Sequence, residues 1–344
     1  MIIGPFLLYL GNSSDPIAIK TSRGLATFRR QDCLGEFRHD GSPLTLGLPQ
    51  LTMEQAASVG ACTLVLGVAS AGGHLDHQLI EDAAAALRAG LNVAAGLHER
   101  LKNQPVLVEL AERYGLELFD ARDTPSDLEV GTGYKRAGRR LLTVGTDCSV
   151  GKMYATLALT TALRERGIQA DFRATGQTGI MIAGHGVPVD AVVADFISGV
   201  IEQLTPARDD DGWDLIEGQG SLFHPSFAGV STGLLHGAQP QALVLCHEPG
   251  RTHMRGLPGR ALPGLAECLQ RNLEVARLTS PGVRSVGVCL NTSRLSQREA
   301  VRVCAETEDL LGLPCADPMT TGVGSIIDRL LCPEPSTLAM TISN

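Results

Sequence analysis

Val144-Gly145-Thr146-Asp147-Cys148-Ser149-Val150-Gly151-Lys152-Met153 has the order of a phosphate-binding loop with one ligand replaced. The apolar run Leu141 to Val144 stops at Gly145, as a buried strand does, and helical periodicity runs from Lys152 to Arg166. A strand, a glycine loop and a helix in that order bring backbone N–H groups and a helix N-terminus onto one anion. Lys152 adds a point charge. Nucleotide loops usually carry Ser or Thr after this lysine to hold Mg²⁺. Here Met153 stands in that place, and a thioether is a poor ligand for so hard a cation. The loop, Gly145 to Met153, is expected to grip a phosphorylated ligand, with no evident provision for ATP cleavage.

Polar turns collect around it. Strand-like runs at Ile168–Arg173, Asp214–Ile216, Ala242–Cys246 and Val286–Leu290 are each followed by a polar segment. These segments are Ala174 to Gly179, Glu217-Gly218-Gln219-Gly220-Ser221, His247-Glu248-Pro249-Gly250-Arg251-Thr252, and Asn291-Thr292-Ser293. Ligands of parallel sheets sit at the carboxyl ends of strands, so these turns read as one composite site. Glu217 or His247 can take a proton from an attacking amine. Arg251 or Arg255 can form a bidentate fork on a carboxylate. Gln177, Gln219 and Ser221 can orient an acyl oxygen or a carboxylate. Each also has a plainer role: Glu217 as a turn cap, the His247–Arg255 stretch as a solvated basic loop, the others as loop braces. Asn291-Thr292 lacks the Lys-x-Asp of a guanine reader. Cys148 sits where a thiol pKa can fall, yet no base is evident beside it.

The first half alternates strands and helices. A strand is expected over Ala61–Ala69, a helix over Asp76–Ala89, a strand over Asn92–Ala95, a helix over Asn103–Tyr114 closed by Gly115, and a strand over Leu116–Phe119. This implies a doubly wound parallel sheet. Before it, residues 1–45 read as short strands and loops, with a first strand near the N-terminus rather than a signal peptide. Gly72-Gly73 lies in no Gly-x-Gly-x-x-Gly, so a scaffold without a nucleotide is the simpler expectation there. Gly96-Leu97-His98 and Asp120-Ala121-Arg122 fall at strand ends and can form a site lip. The domains expected are 1–122, Rossmann-like; 123–138, a Pro/Gly/Ser-bearing linker; 139–332, a P-loop α/β domain; and 333–344, a poorly ordered tail.

Composition narrows the function. A chain of 344 residues, 44% hydrophobic and 19% charged, has material for two cores. A net charge of −8 argues against nucleic acid and anionic membranes as partners. No apolar stretch approaches the roughly 18 residues of a membrane helix. Nine cysteines without a Cys-x-x-Cys pair suit reduced thiols in a cytoplasm. No metal site is expected: His74-x-x-His77 lacks a third ligand, and His185, His224 and His236 have no metal spacing. The apolar first domain would suit a homo-oligomer.

Two resemblances follow from these motifs. The loop Gly145–Lys152 and the turn Glu217-Gly218-Gln219-Gly220 resemble those of dethiobiotin synthetase, departing at Met153. Nearly the whole chain resembles a two-domain family, long of unknown function, that includes bacterial D-glutamate N-acetyltransferase. That likeness is carried by Gly72-Gly73, Gly96-Leu97-His98, Asp120-x-Arg122, Gly145–Met153, Gly176-Gln177-Thr178-Gly179, Glu217–Ser221 and His247-Glu248-Pro249-x-Arg251. It implies acetyl transfer from acetyl-CoA to the amine of D-glutamate or a similar acidic amino acid, in D-amino-acid catabolism. Holding CoA phosphates without phosphoryl transfer would leave the Mg²⁺-binding hydroxyl dispensable. The alternative is an ATP-dependent ligase or kinase related to dethiobiotin synthetase, with Mg²⁺ held by Thr156 or water. A binding protein that senses a nucleotide or CoA without turnover is the third possibility.

Overall fold

The computed structural model describes residues 2–16, 18–68 and 73–332. Its first elements are β1 (Phe6–Gly11), α1 (Lys20–Phe28), β2 (Cys33–Arg38), α2 (Met53–Ser58), β3 (Thr63–Leu66), α3 (His77–Arg88), β4 (Asn92–Ala95), α4 (Pro105–Tyr114) and β5 (Leu118–Asp120). There follow β6 (Arg139–Gly145), α5 (Lys152–Glu165), β7 (Ala170–Arg173), α6 (Gln177–Ala183), α7 (Ile197–Leu204), β8 (Trp213–Ile216) and α8 (Ala228–Ala238). The last are β9 (Ala242–His247), α9 (Leu265–Arg277), β10 (Arg284–Leu290), α10 (Gln297–Leu311), β11 (Cys315–Ala316) and α11 (Gly324–Leu331). None of the helices described is long and apolar enough to cross a membrane.

Packing divides the chain into two compact units: Met1–Leu128 with Ala174–Val193, and Glu129–Arg173 with Ala194–Asn344. The first holds a parallel sheet in the order β2-β1-β3-β4-β5. Every residue of β1 is buried, which is why Phe6-Leu7-Leu8-Tyr9-Leu10 reads as an unbroken apolar run rather than an alternating one. Asp76 caps α3, its side chain accepting from Leu79 N at 2.9 Å, a contact worth about 1 kcal/mol. α4 starts with Pro105 and ends at Gly115, whose φ of 65° only glycine adopts freely.

Residues 1–45 depart from the expected strands and loops, because α1 forms there and joins β1 to a parallel β2. The buried face of α1 is Thr21, Ser22, Gly24 and Leu25, so apolar periodicity is almost absent. Close approach replaces apolar bulk: Ser22 Oγ donates to Tyr9 O at 2.9 Å, and a Cβ on Gly67 would lie 1.9 Å from that Oγ. Ala69 to Gly72, the end of the expected strand and the start of its glycine turn, lie outside the described residues, as does the tail 333–344.

In the second unit six parallel strands run β11-β10-β9-β6-β8-β7. Leu141, Leu159, Leu215, Val244, Val286 and Ile326 fill its core. β6 lies between β9 and β8, so the loop after β6 leaves the sheet beside the turns after both. Glu129 to Gly138, expected as part of a linker, are fixed on this unit. Glu202 accepts from Thr132 N and Gly133 N, while Arg136 donates to Thr205 O and Gly237 O. Ala174–Val193, read from sequence as part of the second domain, packs with the first unit instead. Thr178 Oγ1 meets Thr21 Oγ1 at 2.7 Å, and Asp190 takes an ion pair from Arg122 at 2.6 Å.

Candidate active site

The loop from Thr146 to Gly151 connects β6 to α5 directly. Ser149 and Gly151 have φ of 55° and 97°, the left-handed backbone from which anion-binding nests of N–H groups are built. Lys152 opens α5 and is buried, with Nζ donating to Asp147 O and Gly220 O, each at 2.8 Å. Burial pushes its pKa below the usual lysine range. Gly218 approaches so closely that a Cβ there would lie 1.7 Å from Thr143 O.

A directed chain of hydrogen bonds lies under the loop. Gly218 N donates to Thr143 Oγ1 at 3.0 Å, the Thr143 and Thr156 hydroxyls meet at 2.9 Å, and Thr156 donates to Lys152 O at 2.8 Å. Thr156 is thus committed to joining α5, β6 and the β8 turn, and is fully buried. That commitment removes it as the replacement Mg²⁺ ligand that the ligase alternative needs.

The arginines hold the loop itself. Asp147 is completely buried, its carboxylate accepting from Cys148 N at 2.7 Å, Arg251 Nη1 at 2.8 Å and Arg255 N at 2.8 Å. Arg251 also donates to Cys148 O at 2.7 Å, to Ser149 O at 3.1 Å and to Glu248. Arg251 is therefore spent on the loop. Arg255 bonds Ser149 Oγ and is otherwise exposed. Glu248, buried, receives Arg251 and Arg294, the latter at 3.2 Å.

On the other side, His247 Nδ1 meets Thr146 Oγ1 at 2.9 Å. Burial first, then the nearby Arg251 charge, pulls the imidazole pKa down to about 4, so His247 is neutral near pH 7. Ser221 Oγ donates to Thr146 O at 3.1 Å, and Gln219 Nε2 donates to buried Glu217 at 3.1 Å. Loop residues Gly145–Met153, Glu217, Gln219, Ser221, His247, Arg251 and Arg255 all belong to the second unit; Gln177 belongs to the first. There Gln177 opens α6 beside Gly96, where a Cβ would lie 2.1 Å from its Oε1. Arg122 Nε donates to Gly96 O at 2.9 Å.

Asp147, Cys148 and His224 bring one ligand atom each within 4.8 Å of one another. Their hydrogen bonds oppose a cation. Asp147 already carries Arg251, while His224 uses Nε2 on Arg255 O and Nδ1 on Ser226 N. Burial pushes the Cys148 thiol up, against the lowering that a helix start would give. The pair His74 and His77 turn to different partners, Glu99 and Glu81, each at 3.5 Å. Thr143, His224 and Arg294 stand in no motif that marks them for this site. A lone Thr inside the run Leu141-Leu142-Thr143-Val144 is the one signal available.

A parallel sheet bearing this loop, preceded by a Rossmann-like sheet, defines a two-unit P-loop α/β protein. Residues 129–327 match a family model described as a domain of unknown function, the DUF1611 C-terminal P-loop domain. Residues 38–124 match the DUF1611 N-terminal Rossmann-like domain. The chain belongs to the DUF1611 family. It is 47% identical over 326 residues to a D-glutamate N-acetyltransferase of a Pseudoalteromonas species, covering 95% of this chain and 98% of that one. It is likewise 47% identical over 330 residues to a D-glutamate N-acetyltransferase of Tritonibacter scottomollicae, covering 96% and 99%. A solved DUF1611 family protein from Anabaena variabilis superposes with a TM-score of 0.87 at 33% identity, covering 94% and 98%.

Proposed function

We propose that this protein is a D-glutamate N-acetyltransferase that takes its acetyl group from acetyl-CoA. The observation that carries the reading is the 47% identity, spread over nearly the full length, to two acetyltransferases of that name. The donor set suits the phosphates of CoA: a left-handed amide nest, a helix start and a buried lysine, with no hydroxyl at Met153 to hold Mg²⁺. The ATP-dependent ligase reading finds no support in the names of these relatives, and Thr156 is not free to serve it.

The chemistry asked of the chain is modest. The acceptor ammonium must lose a proton before its nitrogen can attack the acetyl carbonyl. Glu217 and His247, at the ends of β8 and β9 on either side of β6, are the candidates for it. His247 is deprotonated near neutral pH, with Nδ1 tied to Thr146. Burial, and after it the charge of Arg251, weakens it as a base. An anion seated at the loop would offset that charge and raise its basicity. Gln219 and Ser221 are the neutral donors available for an acyl oxygen.

The test is free-thiol release from acetyl-CoA with D-glutamate and then L-glutamate, without ATP or Mg²⁺, beside Lys152→Ala. Release that needs D-glutamate and collapses in the variant is expected. ADP formation with MgATP, and no release with any acidic amino acid, would overturn the reading.

A further inference from the structure

We propose that Arg255 is a specificity-determining residue for the donor, receiving the ribose 3′-phosphate of CoA at the outer edge of the phosphate loop; this rests on the acetyl-CoA reading above. The residue is held through its backbone. Its N–H donates to Asp147 at 2.8 Å and its carbonyl accepts from His224 Nε2 at 3.1 Å. Both partners are buried, at 0% and 2% exposure, so the backbone of Arg255 is fixed although its side chain is exposed. The guanidinium touches Ser149 Oγ and, among the described residues, nothing else by hydrogen bond, which leaves its remaining N–H groups open to solvent.

The neighbouring cations are differently placed. Lys152 is inside the loop, on two carbonyls. Arg251 is consumed by Asp147, Cys148, Ser149 and Glu248. Arg294 is on Glu248. Arg294 reaches Glu248 through Nε alone and its backbone has no bond to the loop among the described contacts, whereas the backbone of Arg255 is bonded to Asp147 of the loop; Arg255 is thus a cation fixed at the loop with donors to give.

CoA presents two phosphate centres: a pyrophosphate and, across the ribose, a phosphomonoester. A nest of amides with one lysine suits the pyrophosphate oxygens. The monoester is close to dianionic near neutral pH, its second pKa being about 6. A guanidinium fork matches its oxygens in a way an ammonium does not. With Met153 in place of the Mg²⁺-binding hydroxyl, matching that charge falls to side chains.

The experiment measures kcat/KM for acetyl-CoA and for acetyl-dephospho-CoA at fixed D-glutamate, in the wild type, Arg255→Ala and Arg255→Lys, with thermal midpoints recorded for each. The wild type is expected to prefer acetyl-CoA by at least about tenfold, the worth of one charge-assisted contact. In Arg255→Ala that ratio should fall toward one, through a raised KM for acetyl-CoA. Arg255→Lys should lie between, which keeps the test standing if the alanine variant does not fold. Equal use of both donors by the wild type overturns the proposal. So does an unchanged ratio in Arg255→Ala, or a rise confined to the KM for D-glutamate, which would place the acceptor's carboxylate there. Acetyl transfer from neither donor would instead overturn the acetyl-CoA reading itself.

Discussion

β1–α1 in the first unit and β6–α5 in the second are the same device, a buried parallel strand joined by a loop to a helix. They differ in what the loop offers. After β6 the chain reaches α5 in six residues, through left-handed Ser149 and Gly151, and places Lys152 at the helix start. After β1 no glycine follows Gly11 before the helix, and α1 also opens with a lysine, Lys20, while its buried face packs Ser22 against β1 and Thr21 against α6. The topology makes a place for a ligand at both strand ends. Both helices open with a lysine, so what sets the second strand end apart is its loop, with left-handed Ser149 and Gly151 just before the helix.

The sharpest way to break that contrast is at the glycines. Gly218→Ala pushes a methyl onto the backbone of β6 and is expected to cost about 4 kcal/mol or more. Gly90→Ala in the first unit meets open space and should cost only about 1 kcal/mol for its φ of 89°. Urea unfolding of the two variants checks the difference. Next, Lys152→Ala should lower kcat/KM for acetyl-CoA at least about a hundredfold, the scale of losing a preorganised charge, while circular dichroism stays native.

The buried arginines give a finer comparison. Arg251→Ala leaves Asp147 charged in the interior and should cost about 3 kcal/mol together with donor affinity. Arg122→Ala leaves Asp190, one third exposed, to water. It should cost about 1 kcal/mol and leave the KM for the donor unchanged. Thermal midpoints and donor kinetics on both variants would show whether the two pairs differ as stated.

A last effect is one of pH. His247 titrates near 4 when folded and near 6.5 when unfolded, so across that window the unfolded chain binds more protons. Stability therefore falls as pH drops from 6.5 to 4. His247→Gln should flatten that part of the curve, and an unchanged slope would show that other groups set it.

Much of the fold is legible in the amino-acid sequence. Strands β4, β6, β9 and β10 and helices α3 to α5 stand out because apolar periodicity and glycine or proline punctuation agree. α1 is hidden, since Thr21, Ser22 and Gly24 pack by proximity and carry no hydrophobic signal. Around the phosphate loop the candidate residues stand in readable motifs, but their duties do not. Arg251 is a reasonable candidate for a substrate carboxylate, yet its partners are four groups of the protein. Which of two arginines four residues apart faces inward depends on the turn between them, and no local pattern encodes that. Gln177 reads as one more strand-end residue, but the chain after β7 packs into the other unit, a choice made by contacts with Thr21 and Arg122 far away in sequence.

That excursion has a consequence for how the molecule can be cut. The chain passes from one unit to the other at 128–129, returns at 173–174 and leaves again at 193–194. A single scission in the linker does not yield two finished halves. The N-terminal fragment would lack α6 and the carboxylate that neutralises Arg122, and the C-terminal fragment would carry α6 as an unpaired loop. Expressed apart, the pieces should be poorly soluble; co-expressed, they should complement, with residues 174–193 acting as the clasp that recruits one fragment to the other.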